Sequence, residues 1–175
     1  MTLSPADILA LVPQARPMRF IDEIVEVDAD HIVGVYTWKE EDCAGHFPGN
    51  PVVPGVKLIE MAAQVGNVAW AIWLMALERD PEAVHGMVGF FTGIEQGTFK
   101  KVVRPGDKVR ARAEFGDEGY FRSNKLAAFV EIRFDGGPQD GELAFEGFTS
   151  GMWAPREAEA PGEAPGSKPG TWTPK

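Results

Sequence analysis

The chain has 175 residues, 44% hydrophobic and 25% charged, with a net charge of −9. Eleven Phe, five Trp and two Tyr supply ample core material, which excludes a wholly disordered chain. The acidic excess excludes broad attraction to nucleic acid or to an anionic membrane surface. A lone cysteine, Cys43, excludes an internal disulfide framework, and with only three histidines beside it no metal site or cofactor is expected. The expected compartment is reducing, the cytoplasm.

In chain order, Ser4 reads as a helix cap with Pro5 at the first helical position, and the helix stops before Pro13. No basic leader precedes an apolar stretch, so the N-terminus is expected to be mature sequence. Ile24–Val27 and Ile32–Trp38 predict a hairpin across Asp28-Ala29-Asp30. Pro54-Gly55 opens one helical stretch to about Glu78, where Asp80-Pro81 ends it. Within it, Met61–Leu77 carries no charge over 17 residues. A membrane span wants ~20 apolar residues, and Gln64, Gly66 and Asn67 interrupt this run, so a buried core helix is expected and no membrane span.

The second half reads as strands. Met87–Phe91 is short and apolar, and Lys108–Phe115 alternates charged with apolar positions, as do Ala128, Val130, Ile132 and Phe134 with their neighbours. Arg104-Pro105-Gly106-Asp107 and Asp135-Gly136-Gly137-Pro138 are turn chemistry, and Leu143–Met152 closes the series. Five or six strands, mostly antiparallel, are expected to curl around the helix in an α+β fold. After Trp153 the composition changes: residues 154–175 hold 5 of the 14 prolines and little aliphatic bulk. The expectation is one folded domain over 1–153 and a flexible, charge-neutral tail over 154–175, in which Trp172 is a lone aromatic.

Gly45–Gln64, GHFPGNPVVPGVKLIEMAAQ, carries the chemistry. Glycines and prolines fix a tight path that presents His46, ends at a helix N-terminus at Pro54-Gly55, and is followed by a carboxylate, Glu60, on an otherwise apolar helix. The string His46-Phe47-Pro48-Gly49, Pro51, Pro54-Gly55, Leu58-Ile59-Glu60 and Gln64 closely resembles the signature of the 3-hydroxyacyl-[acyl-carrier-protein] dehydratases of type II fatty acid synthesis. Weaker likeness covers Arg16–Asp22, Phe90–Ile94 and Val103–Asp107. The resemblance implies a hotdog fold, an antiparallel sheet wrapped around a long central apolar helix. It implies His46 and Glu60 as the catalytic pair, supplied to one substrate by different subunits of a homodimer, with trimers of such dimers within the family's range. Glu rather than Asp at position 60 resembles the branch that dehydrates without isomerising.

The chemistry needs three groups. Neutral His46 suits removal of an α-proton, the N–H groups of Gly55 and Val56 at the helix N-terminus suit a developing enolate oxygen, and Glu60 suits protonation of the departing hydroxyl. Packing among Val56, Ile59 and Ala63 would raise the Glu60 pKa in the needed direction, and the missing Cβ of Gly55 would admit the thioester. Gln64 is in reach of Glu60 or a product water, and Phe47 and Pro54 complete the expected substrate contacts. Other readings stand beside these: Glu60 in a surface pair with Lys57 or Gln64, and Cys43 as a thiol nucleophile. Lys100, Lys101, Arg104, Lys108, Arg110 and Arg112 give a local positive run that is either a solvated strand face or, at Lys100, Lys101 and Arg104, a dock for the acidic acyl carrier protein. A hotdog thioesterase and a non-catalytic acyl-binding subunit of a heteromeric dehydratase are the competing functions. The chain departs from the family pattern at Gln14-Ala15, where His-Arg follows the proline in many relatives, and at Val53, Lys57, Gly66-Asn67, Trp70 and Trp73. These departures suggest a specialised lipid or polyketide pathway.

Overall fold

The computed structural model describes residues 3–156. Helix α1, Pro5–Leu11, starts on a reciprocal capping box in which Ser4 Oγ accepts from the Asp7 N–H and the Asp7 carboxylate accepts from the Ser4 N–H. Strands β1 (Glu23–Val27) and β2 (His31–Thr37) form the predicted hairpin. The central helix runs Gly55–Glu78, and a five-residue helix, Pro81–His85, follows it where the sequence reading simply stopped. Strands β3 (Met87–Phe99), β4 (Lys108–Glu114), β5 (Tyr120–Arg122), β6 (Lys125–Phe134) and β7 (Leu143–Pro155) complete a seven-stranded antiparallel sheet. Its order is β1-β2-β4-β6-β7-β3, with β5 paired to β6.

The sheet curls around the central helix. Along β4 the buried positions are Val109, Ala111 and Ala113, the alternation expected of a strand with one wet face. The most apolar 18-residue window of the helix is 89% buried, so its hydrophobicity is spent on the sheet. Contact is close because small residues meet: a Cβ on Gly66 would lie 3.0 Å from a Val130 methyl and 3.2 Å from the Ala113 Cβ. Two tryptophans pin the interior of the helix to the wrap. Trp70 Nε1 donates to the Asp28 carbonyl at 2.9 Å, and Trp153 Nε1 donates to the Asn67 carbonyl at 3.0 Å.

Several expectations are corrected. Among the described residues the strands number seven, not five or six. Strand β3 continues eight residues past Phe91, because two register shifts opposite β7 absorb the polar and glycine positions that read as a strand end. The central helix is continuous but contains a π-helical segment, Gln64–Ala69, where the Trp70 N–H reaches back to the Val65 carbonyl. Strand β5 was missed because three residues are too few for a periodic signal; its turn into β6 uses Ser123 at φ 59°. Strand β7 also carries Ala154 and Pro155, two residues past the expected domain boundary. The remainder of the expected tail, 157–175, including Trp172, lies outside the described residues.

Candidate active site

His46 sits on a loop tied at both ends. A 3₁₀ turn, Glu40–Cys43, leads into it, and buried Asp42 anchors that turn by accepting from Tyr36 Oη at 2.8 Å and the Lys39 N–H at 3.0 Å. The Tyr36 phenol is held far above its usual range by burial and then by this carboxylate, so it remains a donor. Lys57 Nζ donates to the Asp42 carbonyl at 2.6 Å, joining the turn to the start of the central helix. Beyond it, the Val52 N–H donates to the His46 carbonyl at 2.8 Å, and Arg104 donates to Asn50 Oδ1 at 2.9 Å. The ring is oriented by a 3.1 Å contact between Nδ1 and the Val52 carbonyl. A carbonyl only accepts, so Nδ1 carries the hydrogen and the neutral ring keeps its lone pair on Nε2. Phe47 stacks on the imidazole, centroids 4.1 Å apart, and is 55% exposed.

Glu60 is half-buried on the second turn of the central helix. Gln64, one turn on, is fully buried and donates from Nε2 to Glu60 Oε1 at 2.8 Å and to the Met18 carbonyl, while its Oε1 accepts from the Phe20 N–H at 2.8 Å. The expected bond from Gln64 to Glu60 is present, and the side chain, also expected to contact substrate, is fully buried and holds the carboxylate from behind. Lys57 is committed to Asp42, which leaves the Glu60–Gln64 bond as the pairing that forms. Two further expectations change. Val56 is 71% exposed and does not enclose Glu60. The space beside Gly55 is taken by the Phe99 ring, whose Cζ lies 2.9 Å from where a Cβ would stand. The Gly55 and Val56 amides still occupy the first two helical positions, where no intrahelical acceptor exists; half-buried Pro54 precedes them and its carbonyl accepts from the Lys57 N–H instead.

A cavity of about 190 Å³ opens beside Glu60, lined by Glu60, Ala63, Asn67 and Val68 of the helix, by Gln14, and by Gly89, Phe90 and Phe91 of β3. His46 is not part of its wall.

Residues 36–130 match the ApeI-like family, described as ApeI dehydratase. The 3-hydroxyacyl-[acyl-carrier-protein] dehydratase FabZ of Caldicellulosiruptor saccharolyticus is 41% identical over 129 residues, covering 71% of this chain and 86% of that protein. The FabZ of Thermomicrobium roseum is 36% identical over 143 residues, covering 80% and 85%. The chain belongs to the 3-hydroxyacyl-[acyl-carrier-protein] dehydratase family. It is an enzyme of that class, with the hotdog fold. Among solved structures, the dehydratase heterocomplex ApeI:P from Xenorhabdus doucetiae superposes with a TM-score of 0.68 at 15% identity, covering 89% of this chain and 93% of that one. A thioesterase from Haemophilus influenzae superposes with a TM-score of 0.62 at 16% identity, covering 91% and 96%. At such identities these two likenesses speak for the fold alone.

Other candidates in the dehydratase fall into place around the pair. Cys43 is buried, and burial followed by the nearby Asp42 charge pushes its thiol up, against the thiolate a nucleophile needs. Most of the basic run is compensated: Lys100 pairs with Glu146 at 3.0 Å, Lys101 with Glu142, and Lys108 with Asp135 at 2.8 Å. Arg104 makes no ion pair among the described residues and braces the His46 loop instead. Sequence reasoning did not place Phe90, Phe91 and Gln14 on the cavity wall, and met Asn67 only as an unusual residue on the helix expected to line the acyl channel. Asn67 was within reach of it, since positions 60, 63 and 67 share one helix face.

Replacing Gln64 by Leu strands the buried Phe20 N–H and Met18 carbonyl, and is expected to cost about 2 kcal/mol or more in urea unfolding. With Glu60 no longer held, kcat is expected to fall about 10- to 100-fold in the folded fraction. A Gln64→Leu enzyme with unchanged kcat would remove the carboxylate-holding role.

Proposed function

We propose that the dehydratase eliminates water from a 3-hydroxyacyl thioester delivered by acyl carrier protein, with His46 as base and Glu60 as acid. His46 Nε2 takes the α-proton. The electron pair left on the α-carbon forms the enolate, whose oxygen faces the Gly55 and Val56 N–H groups. As the electrons return to form the double bond, the C3–O bond breaks and Glu60 hands its proton to the leaving hydroxyl, which departs as water. Gln64 occupies Oε1, so Oε2 carries that proton. No metal or cofactor enters this scheme.

The observation that supports the reading is that Glu60, held by Gln64, lines a cavity while His46, oriented by the Val52 carbonyl, presents a ring nitrogen outside that cavity's wall. Glu60 faces a cavity whose wall includes Phe90 and Phe91 of β3 but not His46. Strand β3 is one of the two outer strands of the sheet, thirteen residues long against five for β1, and exposes Phe90, Phe91 and Phe99. A long apolar edge of this kind calls for a partner strand, and β3 of a second copy would supply it. In such a homodimer His46 of one copy completes the cavity of the other. A buried free thiol at Cys43 suits a reducing, cytoplasmic setting.

Carrier docking falls to Lys100, Lys101 and Arg104. The ion pairs of Lys100 and Lys101 are about half-exposed, and pairs of this kind are worth ~0–1 kcal/mol, so an acidic carrier could exchange for Glu146 and Glu142 at little cost.

The assay follows enoyl absorbance and free thiol together on 3-hydroxyacyl thioesters. Enoyl product without thiol release is expected, and His46→Ala and Glu60→Gln should each reduce its rate about 10²- to 10⁴-fold or more while remaining folded. Near-wild-type turnover by either variant contradicts the assignment, and thiol release without enoyl product favours a thioesterase. Reversing Lys100 and Lys101 to Glu should raise KM for the carrier-bound substrate more than for its pantetheine thioester. Equal changes for both would exclude docking there.

A further inference from the structure

A bulge in β3 decides which way Phe99 faces. Residues directly opposite each other in an antiparallel pair share a face of the sheet. Phe99 stands opposite Phe145, which is fully buried in the core, whereas Glu95 stands opposite Phe148. Strand β7 keeps a regular register against β6 from Phe145 to Phe148, so these two residues, three apart, lie on opposite faces. Glu95 and Phe99 are four apart and would share a face in a regular strand. They do not, because the register shift between Glu95 and Thr98 inserts one extra residue, with Gln96 at φ 53°. The bulge thereby turns Phe99 toward the central helix. Its main chain is fixed there by the Lys100 N–H donating to the Ala144 carbonyl at 2.8 Å, and its ring leans on that of Phe145, centroids 5.2 Å apart.

What the ring meets is Gly55. From the place where a Cβ would stand, Phe99 Cζ lies at 2.9 Å, Cε1 at 3.0 Å and Cε2 at 3.5 Å, so the far edge of the ring fills the niche. Gly55 is helical and is not among the glycines at positive φ. Its backbone would accept alanine, the better helix former, and the demand for glycine is therefore one of space. A Cβ and the amide nitrogen hang from the same Cα, which sets the ring edge beside the Gly55 amide. On the approach to the same turn, the Val53 N–H donates to the Val103 carbonyl at 2.8 Å.

On the reading that the Gly55 and Val56 N–H groups receive the enolate oxygen, we infer that Phe99 is a positioning residue for the dehydration: its ring edge braces the first turn of the central helix and keeps those two donors aimed, and residue 55 is glycine to admit that ring. Donors held in place before charge develops cost no reorganisation when it does. A turn that has lost its brace still binds the thioester through the rest of the site but stabilises the enolate less, which lowers kcat and leaves KM.

The test measures kcat and KM of the full chain on a 3-hydroxyacyl pantetheine thioester, which keeps carrier docking at the neighbouring Lys100 and Lys101 out of the comparison. Phe99→Leu deletes the ring atoms that touch Gly55 while keeping an apolar side chain, and should lower kcat about tenfold with KM changed less than about twofold. Gly55→Ala should lower kcat about 10- to 100-fold by displacing the ring. With the obstructing atoms gone, Gly55→Ala/Phe99→Leu should turn over faster than Gly55→Ala and close to Phe99→Leu. A double variant no faster than Gly55→Ala, a Phe99→Leu enzyme with wild-type kcat, or a loss confined to KM overturns this inference and leaves the dehydratase reading intact. Should Gly55→Ala not fold, the double variant should fold and match Phe99→Leu, and its failure to do so counts against the brace. Absence of enoyl product from the wild-type chain overturns both.

Discussion

A helix that is apolar on nearly every side stays in water only if something covers it all round, and that requirement organises this molecule. The sheet curls because it must reach around Gly55–Glu78, and the meeting surfaces are trimmed to Ala and Gly so that backbones approach. Inside such a wrap each polar side chain on the helix needs a partner within the protein or within its ligand. Gln64 finds all of its partners in the chain and by doing so fixes Glu60. Asn67 finds partners for its two amide hydrogens in the Leu126 and Thr149 carbonyls. The same constraint thus yields a firmly held acid.

The loop that carries His46 answers to a different constraint, the need to hold an imidazole in one tautomer. The Val52 carbonyl fixes the hydrogen on Nδ1, and Asp42, Lys57 and Arg104 keep the loop from drifting relative to the helix it precedes. Base and acid are each well supported, yet the cavity beside the acid does not include the base. The outer strand on that side, β3, carries exposed Phe90 and Phe91 on the same cavity, and pairing there with a second copy is the proposed way a base would reach it.

Elements with strong local physics were legible without coordinates. The Ser4–Asp7 cap, the β1–β2 hairpin and the alternation of β4 follow from hydrogen bonding and burial that neighbouring residues settle among themselves. What escaped depends on tertiary partners: the bulged continuation of β3 exists because β7 pairs with it, and the π-helical segment has no pattern in Gln64–Ala69 to announce it. In the site, His46 and Glu60 stood out through the spacing of a whole signature. Gln14 and Asn67 were visible only as departures from that signature, since nothing local says that they share a cavity. The filling of the Gly55 niche by Phe99 joins residues 44 positions apart and was beyond any local reading.

In the proposed dimer each working site draws His46 from one copy and Glu60 from the other. This arrangement is tested most directly by co-expressing differently tagged His46→Ala and Glu60→Gln chains and purifying the mixed dimer. Each mixed dimer then has one site with both groups intact and one with neither, so turnover should return to about half that of wild type. If both groups came from the same chain, every site in the mixed dimer would be damaged, and turnover no higher than that of the single variants would contradict the account.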